Sequence, residues 1–389
     1  LSLGRDGNLG TEFEPFHPGD PANGVLKDNN NGSLEDKNMV MMRQATLVAP
    51  REIRIDEAPK PEVDDDSVII RIEGLGICGS NLHLWYGEGS AVPLAMFPMP
   101  GALGHEHAGV IEEVGKNITK VKPGDRVTID PFENEACGAC AYCNIGYFHH
   151  CSNPLNFGIG GFADFLKASE NGLYILPDNI ETRSAAVVEP AACSIAGIRR
   201  AGLPGGETVV VLGAGVLGLS AAGAAKALGA GKVILLAKHD SQAQLAERFG
   251  ADVVVRSTED DAMSQIMAAT GGVGADMVVE TVGGAAPTLD QAMDIVRPAA
   301  TIVVLGLWDN LYPLDSWKAV LKDVTMHFSL THGMKDKRTD YGLCLEWMSN
   351  GMVPAQDLCT HYRPLDDIQA AFELAADKTQ GVVKVVLEP

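Results

Sequence analysis

Basic residues are in short supply in this 389-residue chain: 30 Lys and Arg stand against 51 Asp and Glu, a net charge of −21. So acidic a chain lacks the basic face that nucleic-acid binding requires, and anionic membrane surfaces repel it. Aromatic residues are scarce at 6%, against 46% hydrophobic residues overall. The N-terminus has no basic start followed by an apolar run, so no secretory leader is legible. Thr208 to Ala225 carries no charge over nearly a membrane-spanning length, but Gly213, Gly215 and Gly218 interrupt it. Glycines between β-branched residues and an Ala-rich run predict a buried strand, a turn and a helix rather than one membrane helix. Cysteine is sparse as well. Of eight, Cys78, Cys193, Cys344 and Cys359 lie far apart, which is no disulfide framework and predicts an intracellular, cytoplasmic protein. Cys193 reads as a buried, apolar-like residue near the join of two domains.

The other four cysteines crowd together. Cys137, Cys140 and Cys143 are spaced Cys-x-x-Cys-x-x-Cys, and Cys151 follows after seven residues. Free or disulfide-bonded thiols are the alternative, but this spacing predicts a tetrahedral zinc with no open position, a metal that holds a loop. The chemistry must then lie elsewhere.

The length predicts two domains. The richness of residues 1–38 in Gly, Asn, Asp and Pro predicts a disordered tail or linker. Short strands and turns such as Val68–Ile72, Gly109–Val114 and Arg126–Ile129 predict a mostly β domain over 39–193. From residue 194 to 332 buried strands alternate with helices: Thr208–Leu212, Val233–Ala237, Val253–Val255, Asp276–Glu280, Thr301–Leu305 and Thr325–Leu330. Six such strands joined by helical crossovers make an α/β, doubly wound parallel sheet. Residues 333–389 hold a helix (Tyr341–Ser349) and a strand (Val382–Leu387) expected to return to the first domain.

Gly213-Ala214-Gly215-Val216-Leu217-Gly218 follows a strand and opens a helix. In that context Gly-x-Gly-x-x-Gly is a dinucleotide fingerprint, with the pyrophosphate at the helix N-terminus. Where a ribose-binding acid is expected, at the end of the second strand, Ala237, Lys238 and His239 stand instead. A lysine there pairs with a 2′-phosphate, so NADP is favoured. NAD is the alternative, with Asp240 supplying the acid slightly further on.

Cys78 in Cys-Gly-Ser-Asn-Leu-His, His105 and Glu106 in Gly-His-Glu-His, and Glu189 in Val-Glu-Pro offer sulfur, nitrogen and oxygen donors suited to a second zinc. With these motifs in this order ahead of the glycine fingerprint, the chain resembles the zinc-dependent medium-chain dehydrogenase/reductase (alcohol dehydrogenase) family over roughly residues 43–389. Glu rather than Cys at position 189 is similar to the polyol (sorbitol-type) and threonine dehydrogenase branches. The resemblance implies a GroES-like catalytic domain, a Rossmann domain and two zinc ions per chain. Cys78, His105 and Glu189 would surround the catalytic ion, with Glu106 either a ligand or one that exchanges with water. It also implies that Ser80 and His83 relay the alcohol proton, that Lys384 lies near the cofactor, and that the subunits form a homodimer or homotetramer. The expected substrate is a small secondary alcohol, polyol or the matching ketone. Threonine-type amino-alcohol oxidation is the alternative, and a non-catalytic protein that kept the fold is another. One departure stands out. Asn81 replaces the family's usual Asp, which orients the zinc-binding imidazole, so His105 should be less basic. Trp85, Phe97, Phe157 and Trp308 are expected pocket walls.

Overall fold

The computed structural model describes residues 39–87, 96–158, 160–308 and 311–389, so the expected tail over 1–38 lies outside the described residues. A seven-stranded sheet runs in the order Cys359–Pro364, Lys384–Glu388, Val68–Gly76, Glu106–Val114, Arg126–Ile129 and Leu173–Ile175, with Phe165–Ala168 also paired to Val68–Gly76. Val68, Ile69 and Ile70 are all buried, so this central strand is covered on both faces. The last strand returns antiparallel to this sheet, with Val386 opposite Gly76 and Leu387 opposite Leu75. That return brings Lys384 beside the segment that carries Cys78.

The second sheet is parallel throughout, in the order Val253–Arg256, Lys232–Ala237, Thr208–Leu212, Ala275–Glu280, Val296–Val304 and Thr325–Phe328. This is the Rossmann order, whose reversal point falls between Thr208–Leu212 and Ala275–Glu280. The charge-free stretch resolves into the strand Thr208–Leu212 and the helix Val216–Ala227. No helix among the described residues is long and apolar enough to cross a membrane.

The helix Val188–Ala201 joins the two halves. Val188, Ala191, Ala192, Ile195 and Ile198 share one core with Ala108 of the first sheet and Val209, Val211 and Val303 of the second. Pro190 is tolerated because it sits in the first turn, where its missing N–H leaves no bond unmade. Gly202, at φ 85°, ends the helix, and Arg199 and Arg200 lie in the last turn, where cations favour the dipole. The helix Asp340–Ser349 packs beside it, and the Tyr341 hydroxyl donates to the Ile129 carbonyl of the first sheet at 2.9 Å. Trp85 is 4% exposed and packs on Phe372, so it is core rather than a pocket wall.

Arg199 ties these helices together. It is ion-paired to the buried Asp340 and donates to Lys335 O (2.7 Å) and Arg338 O (3.2 Å). Removing one partner of such a buried pair leaves an uncompensated charge. Arg199→Met should therefore cost ~3–5 kcal/mol of unfolding free energy. Lys318→Met, which breaks the more exposed pair with Asp294, should cost ~1 kcal/mol or less. Urea unfolding followed by circular dichroism checks the contrast; equal costs would contradict it.

Candidate active site

Cys78 follows the strand Val68–Gly76 and caps the helix Gly79–Tyr86. Asn81 Oδ1 accepts the Cys78 N–H at 3.0 Å, while Asn81 Nδ2 donates to Ala102 O (3.2 Å) and Leu103 O (2.9 Å). His105 Nδ1 lies 2.7 Å from the same Leu103 carbonyl. A carbonyl partner makes Nδ1 the protonated nitrogen, so Nε2 is left to ligate. Asn81 thus braces the carbonyl that orients the imidazole, and its lost charge bears on His105 through that carbonyl. The bend needs backbone strain: Ala102 and Leu103 both sit at positive φ (48° and 51°), a conformation usually left to glycine and often found at functional sites.

Glu106 begins the strand Glu106–Val114 and is fully buried. It stands opposite Gly76 across the sheet, and a Cβ on that glycine would come within 1.9 Å of Glu106 Oε2. Lys384 Nζ donates to Glu106 Oε1 (2.5 Å), Glu106 Oε2 (2.6 Å) and Ile77 O (3.0 Å). Burial opposes charge on Lys384, but the Glu106 carboxylate outweighs it and holds the ammonium above the ordinary lysine range. Burial likewise works against a charged His105, yet Cys78, Glu189 and Glu106 carry it up to about 10. So strong a preference for positive charge, at a cluster of sulfur, nitrogen and oxygen donors, suits a divalent cation.

Among the described residues, donor atoms within 4.8 Å of one another form three groups: Cys78–His105–Glu106, Cys137–Cys140–Cys143–Cys151, and Glu189–Cys193–His332. The four-cysteine lobe has Sγ–Sγ separations of 3.4 Å (Cys140–Cys143), 4.0 Å (Cys137–Cys143) and 4.0 Å (Cys140–Cys151). Tetrahedral Zn–S bonds require edges of about 3.8 Å. Backbone N–H groups of Cys143 and Ser152 bring the Cys140 thiol down to about 6, while burial pushes Cys143 up to about 12.

The resemblance placed Glu189 around the catalytic ion with Cys78 and His105. Its carboxylate acts on His105, and it also lies beside Cys193, one helical turn along, and His332, which the sequence did not point to. Their i, i+4 spacing on a helix was a legible signal; His332, from the segment after Thr325–Phe328, left none. Cys193 is accordingly a member of a polar group rather than an apolar filler. Lys384, expected near the cofactor, spends its ammonium on Glu106. Ser80 and His83 are half-buried on one face of the helix Gly79–Tyr86. His107, given no role, is buried with Nε2 3.0 Å from Gly161 O.

At the nucleotide site, Gly213 sits at φ 104°, and a Cβ on Gly218 would come within 2.0 Å of Gly213 O. A Cβ on Gly215 would meet nothing within 4 Å, so the backbone is open to a pyrophosphate there. Val216 and Leu217 begin the helix, whose N-terminus has no side-chain cap. Ala237 is fully buried, Lys238 is exposed, and His239 is the N-cap of the helix Asp240–Arg248. Asp240 pairs with Arg256 at 2.6 Å, and Arg256 Nη2 donates to the Lys238 carbonyl at 2.9 Å. Sequence reasoning missed Arg256, which the parallel pairing of Ala237 with Arg256 brings there.

A group of cysteine, histidine and glutamate donors beside a dinucleotide fold defines a zinc-dependent dehydrogenase. The sequence profile of the alcohol dehydrogenase GroES-like domain matches residues 64–178, and that of the zinc-binding dehydrogenases matches residues 216–350. Sorbitol dehydrogenase of Bacillus subtilis is 30% identical over 356 residues, 90% of this chain and 97% of its own. An Escherichia coli oxidoreductase/dehydrogenase of unknown specificity superposes with a TM-score of 0.81 at 30% identity, covering 90% of this chain and 99% of that one. A putative zinc-binding dehydrogenase of Sinorhizobium meliloti, solved with NADP, gives 0.76 at 27% identity, covering 90% and 100%. The chain belongs to the zinc-dependent medium-chain alcohol dehydrogenase family.

The contact between Gly76 and Glu106 is testable. Gly76→Ala should displace Glu106 and weaken zinc affinity at the Cys78 group by about tenfold or more. Competition against a chromophoric chelator measures it; unchanged affinity would show that Glu106 takes no part.

Proposed function

We propose that this protein oxidises a secondary alcohol or polyol to the ketone, with NADP⁺ as hydride acceptor. The observation that carries the reading is the convergence of Cys78, His105 and the buried Glu106, from separate segments, into one donor group. Cys78, His105 and Glu106 would hold the catalytic zinc and the four-cysteine lobe the structural one, with residues 39–193 and 333–389 as the catalytic domain and 194–332 as the nucleotide domain. When bound, the ion acidifies the substrate hydroxyl and the nicotinamide takes up the hydride.

The chain's own residues do the rest. Ser80 Oγ takes the hydroxyl proton while passing its own to the His83 imidazole, which releases it outward. Lys384 balances the Glu106 charge, which would otherwise be too costly to bury. Gly213, Gly215 and Gly218 seat the pyrophosphate at the N-terminus of the helix Val216–Ala227. Asp240 and Arg256 neutralise one another, so the surplus positive charge is that of Lys238, which favours NADP over NAD. Threonine is a less fitting substrate. Its carboxylate needs a cation, and Arg183 is engaged with Glu181 and Glu388 and Arg338 with Glu346. The relatives' substrates suggest polyols first.

Cys78→Ser and His105→Asn should each lower kcat/KM at least ~1,000-fold, a loss of ~4 kcal/mol of transition-state stabilisation. A panel of secondary alcohols, polyols and threonine, tested on metal-loaded and chelated protein, measures this; full activity after chelation would exclude zinc chemistry. Lys238→Ala should raise KM for NADP⁺ about tenfold and leave NAD⁺ unchanged. A strong NAD⁺ preference that survives the substitution would reverse the cofactor assignment.

A further inference from the structure

Positive charge gathers at one open cavity outside the metal groups and the nucleotide turn. Its volume is about 460 Å³, within the ~300–1,000 Å³ usual for small-molecule sites. Three parts of the chain wall it: Asn144 and Tyr147 of the four-cysteine lobe, Arg200 at the end of the joining helix, and the hairpin that carries Met334 to Lys337. Close backbone contact joins the lobe to the hairpin. The Met334 N–H donates to Gly146 O at 3.0 Å, and a Cβ on Gly146 would come within 1.9 Å of Met334 O.

Three cations line the cavity, Arg200, Lys335 and Lys337, against one acid, Asp336, a local positive surplus in a chain of net charge −21. The Arg200 guanidinium lies over the Tyr147 ring at 4.5 Å and donates through Nη1 to Thr331 O at 2.8 Å. Its Nη2 is buried with no hydrogen-bond partner. The Asp340 carboxylate, which also feels Arg200, is committed to Arg199. Lys335 Nζ donates to the Arg199 carbonyl. Burial, and after it Arg200 and Lys335, hold the nearby His327 imidazole below its ordinary range. Lys335 pairs with Arg338, so Asp336 and Lys337 form a two-residue turn, at φ 52° and 61°. Such a turn favours glycine in its second place. The lysine there carries backbone strain that glycine would not, and strain kept at an exposed turn points to use of the side chain.

We infer that this cavity binds a small oxyanion of multiple charge, a phosphate group or a compact polycarboxylate, through Arg200, Lys335 and Lys337. Guanidinium and ammonium donors make charge-assisted bonds to such oxygens, and the surplus of cations over Asp336 matches a multiply charged ligand. A bound anion ties the four-cysteine lobe, the joining helix and the hairpin to one another, so it stabilises the folded chain. The site is separate from hydride transfer, since none of these three residues belongs to the Cys78 group or to the turn Gly213–Gly218.

The test is calorimetric titration of the zinc-loaded, full-length chain with inorganic phosphate and with citrate, at constant ionic strength and with NADPH present to fill the nucleotide turn. At least one of the two should bind at one site per chain, and the tighter of them identifies the group. Either ligand that binds should also raise the melting temperature by about 2 °C or more over chloride. Lys337→Asn keeps a residue that tolerates positive φ, so it should fold at least as well as wild type. It and Lys335→Met should each weaken the anion about tenfold. Lys122→Ala removes the same charge from another exposed turn and should change affinity less than about twofold. No binding of either anion, or equal affinity in all three variants, overturns the proposal. A rise in melting temperature that persists in Lys337→Asn is general salt stabilisation and also counts against the site. If Lys335→Met does not fold, Lys337→Asn alone decides.

Discussion

A carboxylate sealed from water must find positive charge, and that constraint organises the centre of this molecule. Glu106, Glu189 and Asp130 are all buried where the joining helix meets the first sheet. Lys384 answers Glu106, and His332 stands between the other two. Each cation comes from a part of the chain remote in sequence. The last strand exists in part to deliver Lys384, and the exit from the second sheet delivers His332. Around these pairs lie the sulfur and nitrogen donors of Cys78, His105 and Cys193. Desolvation would make bare charges here ruinous; compensation by neighbours, or by ions, turns the same burial into strong electrostatics for chemistry.

Rigidity is supplied locally. The strained turn at Ala102 and Leu103 exists so that one carbonyl can meet both Asn81 and His105. Gly76 leaves the space that Glu106 fills. The helix Val188–Ala201, buried between the sheets, fixes Glu189 and Cys193 against both halves at once. The nucleotide half shows the same economy of side chains: Gly213, Gly215 and Gly218 leave backbone, rather than side chains, facing the turn between strand and helix.

Much of this could be read from the chain. The four-cysteine lobe follows from spacing, because a short loop can close a tetrahedron without help from elsewhere. The six strands of the second sheet fell within a few residues of their expected bounds, because buried parallel strands are short runs of β-branched residues between turns. The ends moved where pairing overrode composition, as in Val296–Val304, which starts five residues before the expected Thr301. Trp85 was misplaced because an aromatic carries no local mark that separates a pocket wall from a core. Arg256 was missed because its role is set by the neighbouring strand.

The sequence alone determined whatever depends on short separations: the cysteine lobe, the glycine fingerprint, the alternation of strands and helices, and the kinds of donor available at Cys78, His105, Glu106 and Glu189. Which donors would share a cation was left to the tertiary structure. Lys384 meets Glu106 and His332 meets Glu189 only after strands far apart in the chain have paired. The reason is physical: coordination and charge compensation act over a few ångströms in space, and sequence distance carries no record of them until the backbone has closed.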